Sequence, residues 1–273
     1  MMYQSFPPSA ELKEFVRNYT VIHFQFGSHE PIPAKQRAPK PEQKIVFYIE
    51  GSVNLTDLES GKTTTPPPVS IFTHQLDRKS LQVTPEFFAF VVYLEPGTLY
   101  RLLGFPMAEF HTQYCDAELF LGSEVRLVRE QLAEAKAIVD MIKIVERTLL
   151  AQCKKTQQKS SVDLVAGHVL TDPASFSLDG MAHDACLSTK QFYRKFTQRI
   201  GITPKYFSRL SRFNQAYQCK LAQPGISWSS IAQEFAYTDY HHMEKEFKEF
   251  LGLTPGEWVK KELAAPERIL KLR

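Results

Sequence analysis

Cysteine is scarce in this sequence, and its few copies lie far apart. Only four occur among 273 residues, and no two of them have the spacing of a CxxC motif. A disulfide scaffold or a cysteine-based metal site is therefore disfavoured, because both need closely paired thiols. We expect buried, unpaired thiols at Cys115, Cys153, Cys186 and Cys219.

Long apolar runs are also missing. No stretch approaches the roughly 20 apolar residues that a membrane-spanning helix needs. The first residues, MMYQSFPPSAELKEF, lack the basic and apolar regions of a signal peptide. The sequence therefore predicts a cytoplasmic protein with no membrane partner, and its length and 43% apolar content predict one large or two ordinary globular domains.

Motifs for catalysis and metal binding are absent from the sequence as well. It contains no nucleophile elbow, no phosphate-binding loop and no HExxH pattern. His23, His74 and His111 are scattered, and a metal site would need their side chains to converge. We therefore expect no enzymatic activity, no catalytic residue, no bound metal and no cofactor.

Acidic residues are missing between Asp184 and Glu234. The net charge of the whole chain is only +3, so the basic excess in this segment is local. Solvated surfaces usually mix both signs, and charge of one sign over such a stretch favours a polyanionic partner. The basic residues of the segment are Lys190, Arg194, Lys195, Arg199, Lys205, Arg209, Arg212 and Lys220.

The first part of the chain has the pattern of short β-strands. Such strands predict a small β-sandwich or β-barrel, with residues 11–18 as a helix at its entrance. This kind of fold can hold one small ligand, although aromatic residues such as Phe24 and Phe47 are better explained by an ordinary core. The runs rich in β-branched and aromatic residues, separated by Gly and Pro, are 19–26, 44–50, 53–58, 69–72, 81–83 and 87–94.

A helical region follows the strands. Short helices are predicted at 98–103 and 107–114, and a longer run then predicts two antiparallel helices with a break near Ala135 and Lys136. The apolar stripe of this run packs either on the chain's own sheet or against the same stripe of a second chain, and the pattern does not distinguish the two. The stripe consists of Val125, Val128, Leu132, Ile138, Ile142, Val145 and Leu149.

A polar segment, KKTQQKSS at 154–161, has no large apolar side chain and indicates a linker between two domains. The predicted parts are an N-terminal domain at 1–155, β-rich over 1–95 and helical over 96–155, a linker at 156–161, and a C-terminal domain at 162–273.

A short pattern occurs twice between Ser177 and Trp258, at an offset of about fifty residues. Its clearest element is Gly, Ile or Leu, Thr and Pro, found at 201–204 and again at 252–255. A near-repeat of this kind indicates two copies of one small structural unit.

Each copy has the pattern of a helix-turn-helix unit, because two short helices are separated by a tight turn. We place the units at about 177–200 and about 227–250, joined by one helix at about 204–221. At about 1.5 Å per residue this joining helix is roughly 27 Å long, near the roughly 34 Å between successive major-groove faces of DNA. Serines that can cap the helices are Ser177, Ser188 and Ser227.

The second helix of the first copy has one apolar and one polar face. Phe192 and Phe196 recur at the four-residue step of a buried edge. Lys190, Tyr193 and Arg194 lie together on another face, where Arg and Lys can donate to guanine and Tyr can contact a base edge or a phosphate. We predict DNA base contacts from these three residues; an ordinary solvated helix face is the alternative.

The corresponding helix of the second copy is acidic. Between Glu234 and Phe250 there are two lysines and five acids, which should weaken binding beside phosphate. We predict base contacts from Tyr240, His241 and Lys245, with most of the affinity supplied by the first copy. The predicted phosphate contacts of both copies are Ser188, Thr189, Thr197, Arg199, Lys205, Arg209 and Lys248.

The second copy carries Tyr237, Asp239, the GLTP sequence at 252–255 and Trp258. These residues are similar to the signature of the AraC/XylS family of bacterial transcriptional regulators, except that Ala236 stands where the family usually has glycine. The resemblance covers about residues 160–260. It implies two helix-turn-helix units joined by a helix, often in a dimer, and an N-terminal cupin-like domain that binds a small effector.

The predicted fold is therefore α+β in two domains. Residues 1–155 form a cupin-like β-barrel or sandwich with following helices, for sensing and dimerisation, and residues 162–273 form an all-α DNA-binding domain. The predicted function is sequence-specific transcription regulation through double-stranded DNA, controlled by a small-molecule effector. One alternative is a regulator without ligand, whose N-terminal domain only dimerises or binds a protein partner; a metal-dependent cupin enzyme is more remote. Further candidate partners are a second copy of the chain, through the helices in 123–152, and RNA polymerase.

Overall fold

The computed structural model describes residues 2–27, 32, 34–110, 113–154, 156–173 and 177–263. The strands are β1 (Met2–Phe6), β2 (Val16–Gln25), β3 (Lys35–Arg37), β4 (Gln43–Glu50), β5 (Val53–Asp57), β6 (Thr63–Thr64), β7 (Val69–Phe72), β8 (Lys79–Val83), β9 (Glu86–Leu94) and β10 (Tyr114–Asp116). The helices are α1 (Thr98–Leu103), α2 (Glu118–Leu121), α3 (Glu124–Glu134), α4 (Ile138–Cys153), α5 (Ser161–Thr171), α6 (Leu178–Asp184), α7 (Thr189–Ile200), α8 (Pro204–Ala222), α9 (Trp228–Glu234), α10 (Tyr240–Leu251) and α11 (Pro255–Leu263).

The strands form two sheets that pack face to face. A six-stranded sheet has the order β1-β2-β9-β4-β7-β10, and a four-stranded sheet has the order β3-β8-β5-β6. Side chains of both sheets, among them Val46 and Phe72 of the first and Val53 and Leu55 of the second, share one buried cluster. The sandwich form of the predicted fold is thus confirmed, as is the all-α architecture that follows it.

Strand β4 shows how the two faces of the larger sheet contribute to two separate cores. Successive side chains of a strand point to opposite faces. Ile45 and Phe47 lie in the core beneath the helices, whereas Val46 and Tyr48 face the smaller sheet. The aromatic residues of the first ninety positions are therefore divided between two cores.

Helices α3 and α4 cover the outer face of the six-stranded sheet. The apolar stripe contributes Val125, Val128, Leu132 and Val145 to the core that contains Ile45. The stripe therefore packs on the chain's own sheet. The predicted break is also found, between Glu134 and Ile138.

Two predicted helices are wrong. Residues 11–18 form only a 3-10 turn, Ala10–Leu12, because the chain then enters β2 and Val16 pairs with Leu94. Among the described residues of 107–114, Met107–Glu109 form a 3-10 turn and Tyr114 pairs with Phe72 in β10. In both cases pairing with a distant strand overrides the local helical pattern.

The prediction of buried thiols holds only for Cys153 and is wrong for Cys186, which is exposed. Cys186 lies in the tight turn between α6 and α7, with a φ of 54°. Cys115 and Cys219 are half-buried. Among the described helices, none is both long and apolar enough to cross a membrane.

The C-terminal helices form two cores that share α8. Phe207, near the start of α8, packs with Phe192 and Phe196 of the first unit. Further along the same helix, Phe213 packs with Phe247 of the second unit. One continuous helix therefore connects the two units rigidly.

Candidate nucleic-acid interface

The first helix-turn-helix unit is defined by two serine caps and a tight turn. The Ser177 hydroxyl accepts a hydrogen bond from Gly180 N at 3.0 Å, and the Ser188 hydroxyl accepts one from Gln191 N at 3.3 Å. The side-chain oxygen of Gln191 in turn accepts from Ser188 N, completing a capping box. The start of α7 is thus fixed by its own sequence, as the capping pattern predicted.

Helix α7 has the two faces that its sequence predicts. Phe192 and Phe196 are fully buried, whereas Lys190, Tyr193 and Arg194 are exposed, Tyr193 by 44%. Tyr193 and Arg194 follow Lys190 by about one helical turn, so the three predicted base-contact residues of this unit share one exposed face. This face offers two cationic donors and a phenol hydroxyl to a ligand in solution.

The hydroxyls at the start of α7 already have partners inside the protein. Ser188 caps the helix, and Thr189 Oγ1 donates to Asp179 Oδ1 at 2.9 Å. Thr197 is half-buried, and within the described part of the chain its hydroxyl has no hydrogen-bond partner. The phosphate contacts of these three residues stay a prediction.

Arg199, another predicted phosphate contact, is buried. Its guanidinium forms a bidentate pair with Asp163 of α5, with distances of 2.7 Å and 2.5 Å, and lies 4.5 Å from the ring centroid of Tyr100 in α1. A phosphate contact would have to compete with this pair. Lys205, in contrast, is exposed at the start of α8.

Arg209 links α8 to the second unit. Its Nε lies 2.8 Å from Glu246 Oε1 and its Nη2 lies 2.5 Å from Glu249 Oε2. Arg212 also donates to Glu246 Oε1 at 2.8 Å, and Glu246 is only 2% exposed. The Glu246 carboxylate is therefore buried against the arginines of α8, whereas Glu249, which is 53% exposed, pairs with Arg209 at the surface.

The second unit begins its recognition helix with an acidic cap. Asp239 Oδ1 accepts a hydrogen bond from His242 N at 2.7 Å. The predicted base-contact residues lie at or near the surface of α10, with His241 and Lys245 exposed and Tyr240 half-buried. One of the five acids counted in this region, Asp239, therefore caps the start of the helix.

Lys248, the remaining predicted phosphate contact, is exposed on α10. Its Nζ lies 3.2 Å from Glu244 Oε1, in a pair on the protein surface. Surface pairs of this kind contribute little to stability, so the ammonium group remains available to an anion.

The turn of the second unit is strained. Ala236 has a φ of 53°, the left-handed region that favours glycine, and Tyr237 N donates to Ala232 O at 2.8 Å. Cys186 has the same conformation in the first unit, with Leu187 N donating across that turn. Both turns therefore have the same geometry, and the departure from glycine is accommodated.

A cavity of about 200 Å³ lies between the two sheets of the N-terminal domain. Its walls are mainly apolar, and the C-terminal helices close it with Tyr217 of α8 and with Trp258 and Glu262 of α11. The apolar wall includes Ile22, Phe24, Val46, Val53, Leu81 and Phe87.

One end of the cavity is charged, with four cations and two acids. Lys35 pairs with Glu262 at 2.9 Å, and Lys44 pairs with Glu42 at 3.4 Å. The sequence contains one signal for Lys44, since it shares the inward register of Val46 on β4, but an apolar strand by itself predicts a core and not a ligand site. The other two cations are Arg37 and Lys40, and the charges of both act on Glu42.

Burial and neighbouring charges change the ionisation of these groups. Burial, with the nearby charge of Arg37, lowers the pKa of Lys44 to about 7. Burial alone would raise the pKa of Glu42, but Lys40 and Lys44 outweigh it and lower the pKa to about 2. The Glu42 carboxylate beside Lys40 raises the pKa of that lysine. An anion that enters the cavity would therefore meet cationic partners.

The histidines do not form a metal centre in the described part of the chain. The His23 ring packs on Phe88 with centroids 5.2 Å apart, and His74 Nε2 contacts Ile200 O at 2.8 Å. His111 lies outside the described residues. No three His, Cys, Asp or Glu side chains among the described residues converge to hold a metal ion.

Comparison with known proteins finds one family match in each of the two domains. Residues 181–261 match the family described as a helix-turn-helix domain, and residues 4–116 match the domain of unknown function DUF6597. No curated protein sequence matches the chain.

Several solved structures are similar to the chain. ToxT from Vibrio cholerae with a bound unsaturated fatty acid is 12% identical, over 88% of this chain and 94% of that chain, with a TM-score of 0.48. The P21 form of ToxT is 10% identical over 96% and 99%, also with a TM-score of 0.48. An AraC-type transcriptional regulator from Chromobacterium violaceum is 21% identical over 39% and 93%, with a TM-score of 0.34.

The two helix-turn-helix units on one rigid helix, together with the family match over 181–261, define a DNA-binding transcription regulator. The helix-turn-helix domain, residues 181–261, is of the AraC type, and in this part of the chain the sequence resembles the AraC/XylS family of regulators.

Proposed function

We propose that this regulator reads a specific DNA sequence mainly through α7, under the control of a small molecule bound between its N-terminal sheets. The observation that carries the first part is the exposed face of α7 with Lys190, Tyr193 and Arg194. Arginine and lysine donate to guanine in the major groove, where each base pair has a distinct pattern of donors and acceptors. Tyr240, His241 and Lys245 of α10 extend the reading to a second half-site.

Gel shift with DNA selected from a random pool by the full-length chain tests this assignment. The double variant Lys190→Ala with Arg194→Ala should lose specific binding, since each good base contact contributes about 1–3 kcal/mol. Affinity should also fall steeply with salt, because phosphate contacts release counterions. Full-strength binding by the double variant would contradict the role of α7. Gln233→Ala, exposed on α9, is the matched control.

The cavity supports control by a small molecule. Its apolar walls and its excess of cations fit a ligand with an apolar body and one anionic group. Because Tyr217 and Trp258 of the DNA-binding domain line the same cavity, an occupant would contact both domains at once.

A thermal-shift screen of small carboxylates against the full chain tests for such an effector. A ligand at 100 times its dissociation constant adds about 2.7 kcal/mol of stability. If no compound shifts the transition, the alternative without ligand is favoured, in which the N-terminal domain only dimerises or binds a protein partner such as RNA polymerase.

Dimerisation through helices in 123–152 is compatible with both the ligand-controlled regulator and the alternative without ligand. Their main apolar stripe is already buried on the sheet, so a dimer would have to use the outer side, where Leu127 and Val139 are exposed. Sedimentation equilibrium of the wild type and of Leu127→Glu distinguishes a dimer of this kind from a monomer.

A further inference from the structure

The two recognition helices end in the same way. Helix α7 ends at Ile200 and α10 ends at Leu251, and each is followed by a glycine with positive φ, 95° at Gly201 and 70° at Gly252. The last carbonyl groups of an α-helix have no partner within the helix. Ile200 and Leu251 therefore each present a carbonyl oxygen to the structure beyond the helix end.

Each of these two oxygens accepts a hydrogen bond from a glutamine of the N-terminal domain. Gln43 Nε2 lies 3.2 Å from Ile200 O, and Gln36 Nε2 lies 2.8 Å from Leu251 O. His74 Nε2 is a second donor to Ile200 O, at 2.8 Å. Since Ile200 and Leu251 are equivalent positions of the repeat, the N-terminal domain holds both recognition helices at the same backbone atom.

Close packing reinforces both contacts. A Cβ added to Gly201 would lie 3.1 Å from the backbone oxygen of Met107, and one added to Gly252 would collide with the guanidinium of Arg78. Both neighbours belong to the N-terminal domain. A side chain at Gly201 would press on the backbone of Met107, whereas one at Gly252 would displace only the flexible end of Arg78.

The two glutamines belong to one short segment, residues 35–44, which we call the clamp segment. It comprises β3, a loop and the start of β4. The amide of Gln36 is engaged at both ends, because Lys261 Nζ lies 3.4 Å from its Oε1. Gln43 is buried. The cationic side chains at the end of the cavity come from this same segment.

We propose that the clamp segment positions the two recognition helices relative to each other, with Gln36 and Gln43 as its positioning residues. The inference rests on the proposed function, since it assumes that both helices read DNA. Helix α8 joins the two units on one side, and the clamp segment joins them on the other. An effector in the cavity contacts the clamp segment directly and thereby acts on both recognition helices at once.

A distance measurement on the full-length chain tests the clamp without DNA or effector. Spin labels introduced as unnatural amino acids at Gln198 and Lys248, both exposed, report the separation of α7 and α10. The wild type should give one narrow distribution. The double variant Gln36→Met with Gln43→Met keeps the side-chain length but loses both donors, and its distribution should shift and broaden.

Two further variants make this test decisive. Gln36→Met alone removes the glutamine donor to Leu251 O and should broaden the distribution even if the double variant fails to fold. Gln233→Ala, an exposed glutamine on α9, should leave it unchanged. A wild-type distribution in folded Gln36→Met would overturn the clamp and leave α8 alone to set the separation.

Operator spacing provides a second readout. Two base pairs inserted between the half-sites of a selected DNA rotate them by about 70°. Wild-type affinity should then fall about tenfold, within the usual cost of a damaged site, whereas Gln36→Met should lose clearly less. An equal loss in both chains contradicts the clamp. If the wild type selects no DNA at all, the proposed function fails, and the distance measurement still decides the clamp.

Discussion

Arg199 and Asp163 form a bidentate ion pair in the core of the first helix-turn-helix unit, Nε to Oδ1 at 2.7 Å and Nη2 to Oδ2 at 2.5 Å. Asp163 is fully buried and also accepts a hydrogen bond from Ser160 N. Ser160 is the residue that caps the start of α5. Tyr100 of the N-terminal domain stacks on the guanidinium. One ion pair therefore joins a helix start, a recognition helix and the domain contact.

Replacing one member of this pair should destabilise the protein strongly. Arg199→Ala leaves the Asp163 carboxylate buried and unpaired, and loss of one partner of a buried pair costs about 3–5 kcal/mol. Urea unfolding followed by circular dichroism measures the change. Arg194→Ala, exposed on the same helix, is the control and should lower DNA affinity with unchanged stability. Reduced DNA affinity of Arg199→Ala at wild-type stability would instead support its predicted phosphate contact.

Ala236→Gly should stabilise the protein. Ala236 adopts a φ of 53°, and a left-handed conformation costs a residue with a Cβ roughly 1–2 kcal/mol. Glycine removes that cost but adds entropy to the unfolded chain, so the expected net gain is about 0.5–1 kcal/mol. The melting temperature reports it. Ala232→Gly, inside α9, should have the opposite sign, and a loss of stability in Ala236→Gly would contradict the assignment of strain.

The helix-turn-helix units could be predicted closely because their signals are local. The caps at Ser177 and Ser188 and the glycine after Ile200 are fixed by residues within a few positions. In contrast, β3 reads KQR and has no strand pattern of its own. It is a strand because Lys35 pairs with Leu81 of β8, a partner that sequence periodicity does not identify.

The acidic helix α10 illustrates what sequence alone leaves open. Its acids predict repulsion from DNA, yet Glu246 and Glu249 lie against Arg209 and Arg212 of α8. The two glutamates are three residues apart on α10, and the two arginines are three residues apart on α8. The acidic and basic side chains therefore have matching spacing on two facing helices. The spacing becomes informative only once the two helices are known to face each other, and that follows from packing around Phe213 and not from charge.

Acid should lower the stability of the fold through His74, because a protonated ring would be a buried charge. Since Ile200 O can only accept, Nε2 carries the hydrogen, and the buried Nδ1 has no hydrogen-bond partner among the described residues. Burial lowers the pKa of His74 to about 4 from an ordinary 6.5. Between these values the unfolded chain binds a proton that the folded chain does not. Stability should therefore fall as pH falls from about 6.5 to about 4, by roughly 3 kcal/mol.

Urea unfolding at pH 7 and at pH 4.5 measures this loss. His74→Gln should show a smaller difference between the two pH values, because it removes the titrating ring and leaves an amide that can still donate to Ile200 O. His241→Gln, on the exposed surface of α10, should keep the wild-type difference. An unchanged difference in His74→Gln would exclude this histidine as the source.

Binding of an anion in the cavity should depend on pH through Lys44. Its pKa, lowered to about 7 by burial, means that the free protein loses this charge as pH rises through neutrality. A bound carboxylate raises the pKa again, so binding takes up a proton above pH 7. Below pH 7 the affinity should not change with pH. Above it, the affinity should fall by up to about tenfold per pH unit until the pKa of the occupied site is reached.

Isothermal titration with octanoate, whose apolar chain and carboxylate match the two ends of the cavity, measures both the affinity and the proton uptake in buffers of different ionisation enthalpy. Lys44→Met keeps the apolar contacts with Phe72 and Tyr93, which lie on either side of the lysine. It should bind octanoate more weakly at pH 6.5 and lose most of the proton uptake.

Lys205→Met, exposed on α8, is the control for a general loss of positive charge. Wild-type proton uptake in Lys44→Met would locate the titrating group elsewhere, and octanoate binding unaffected by a bulky Val46→Trp would place the ligand outside this cavity.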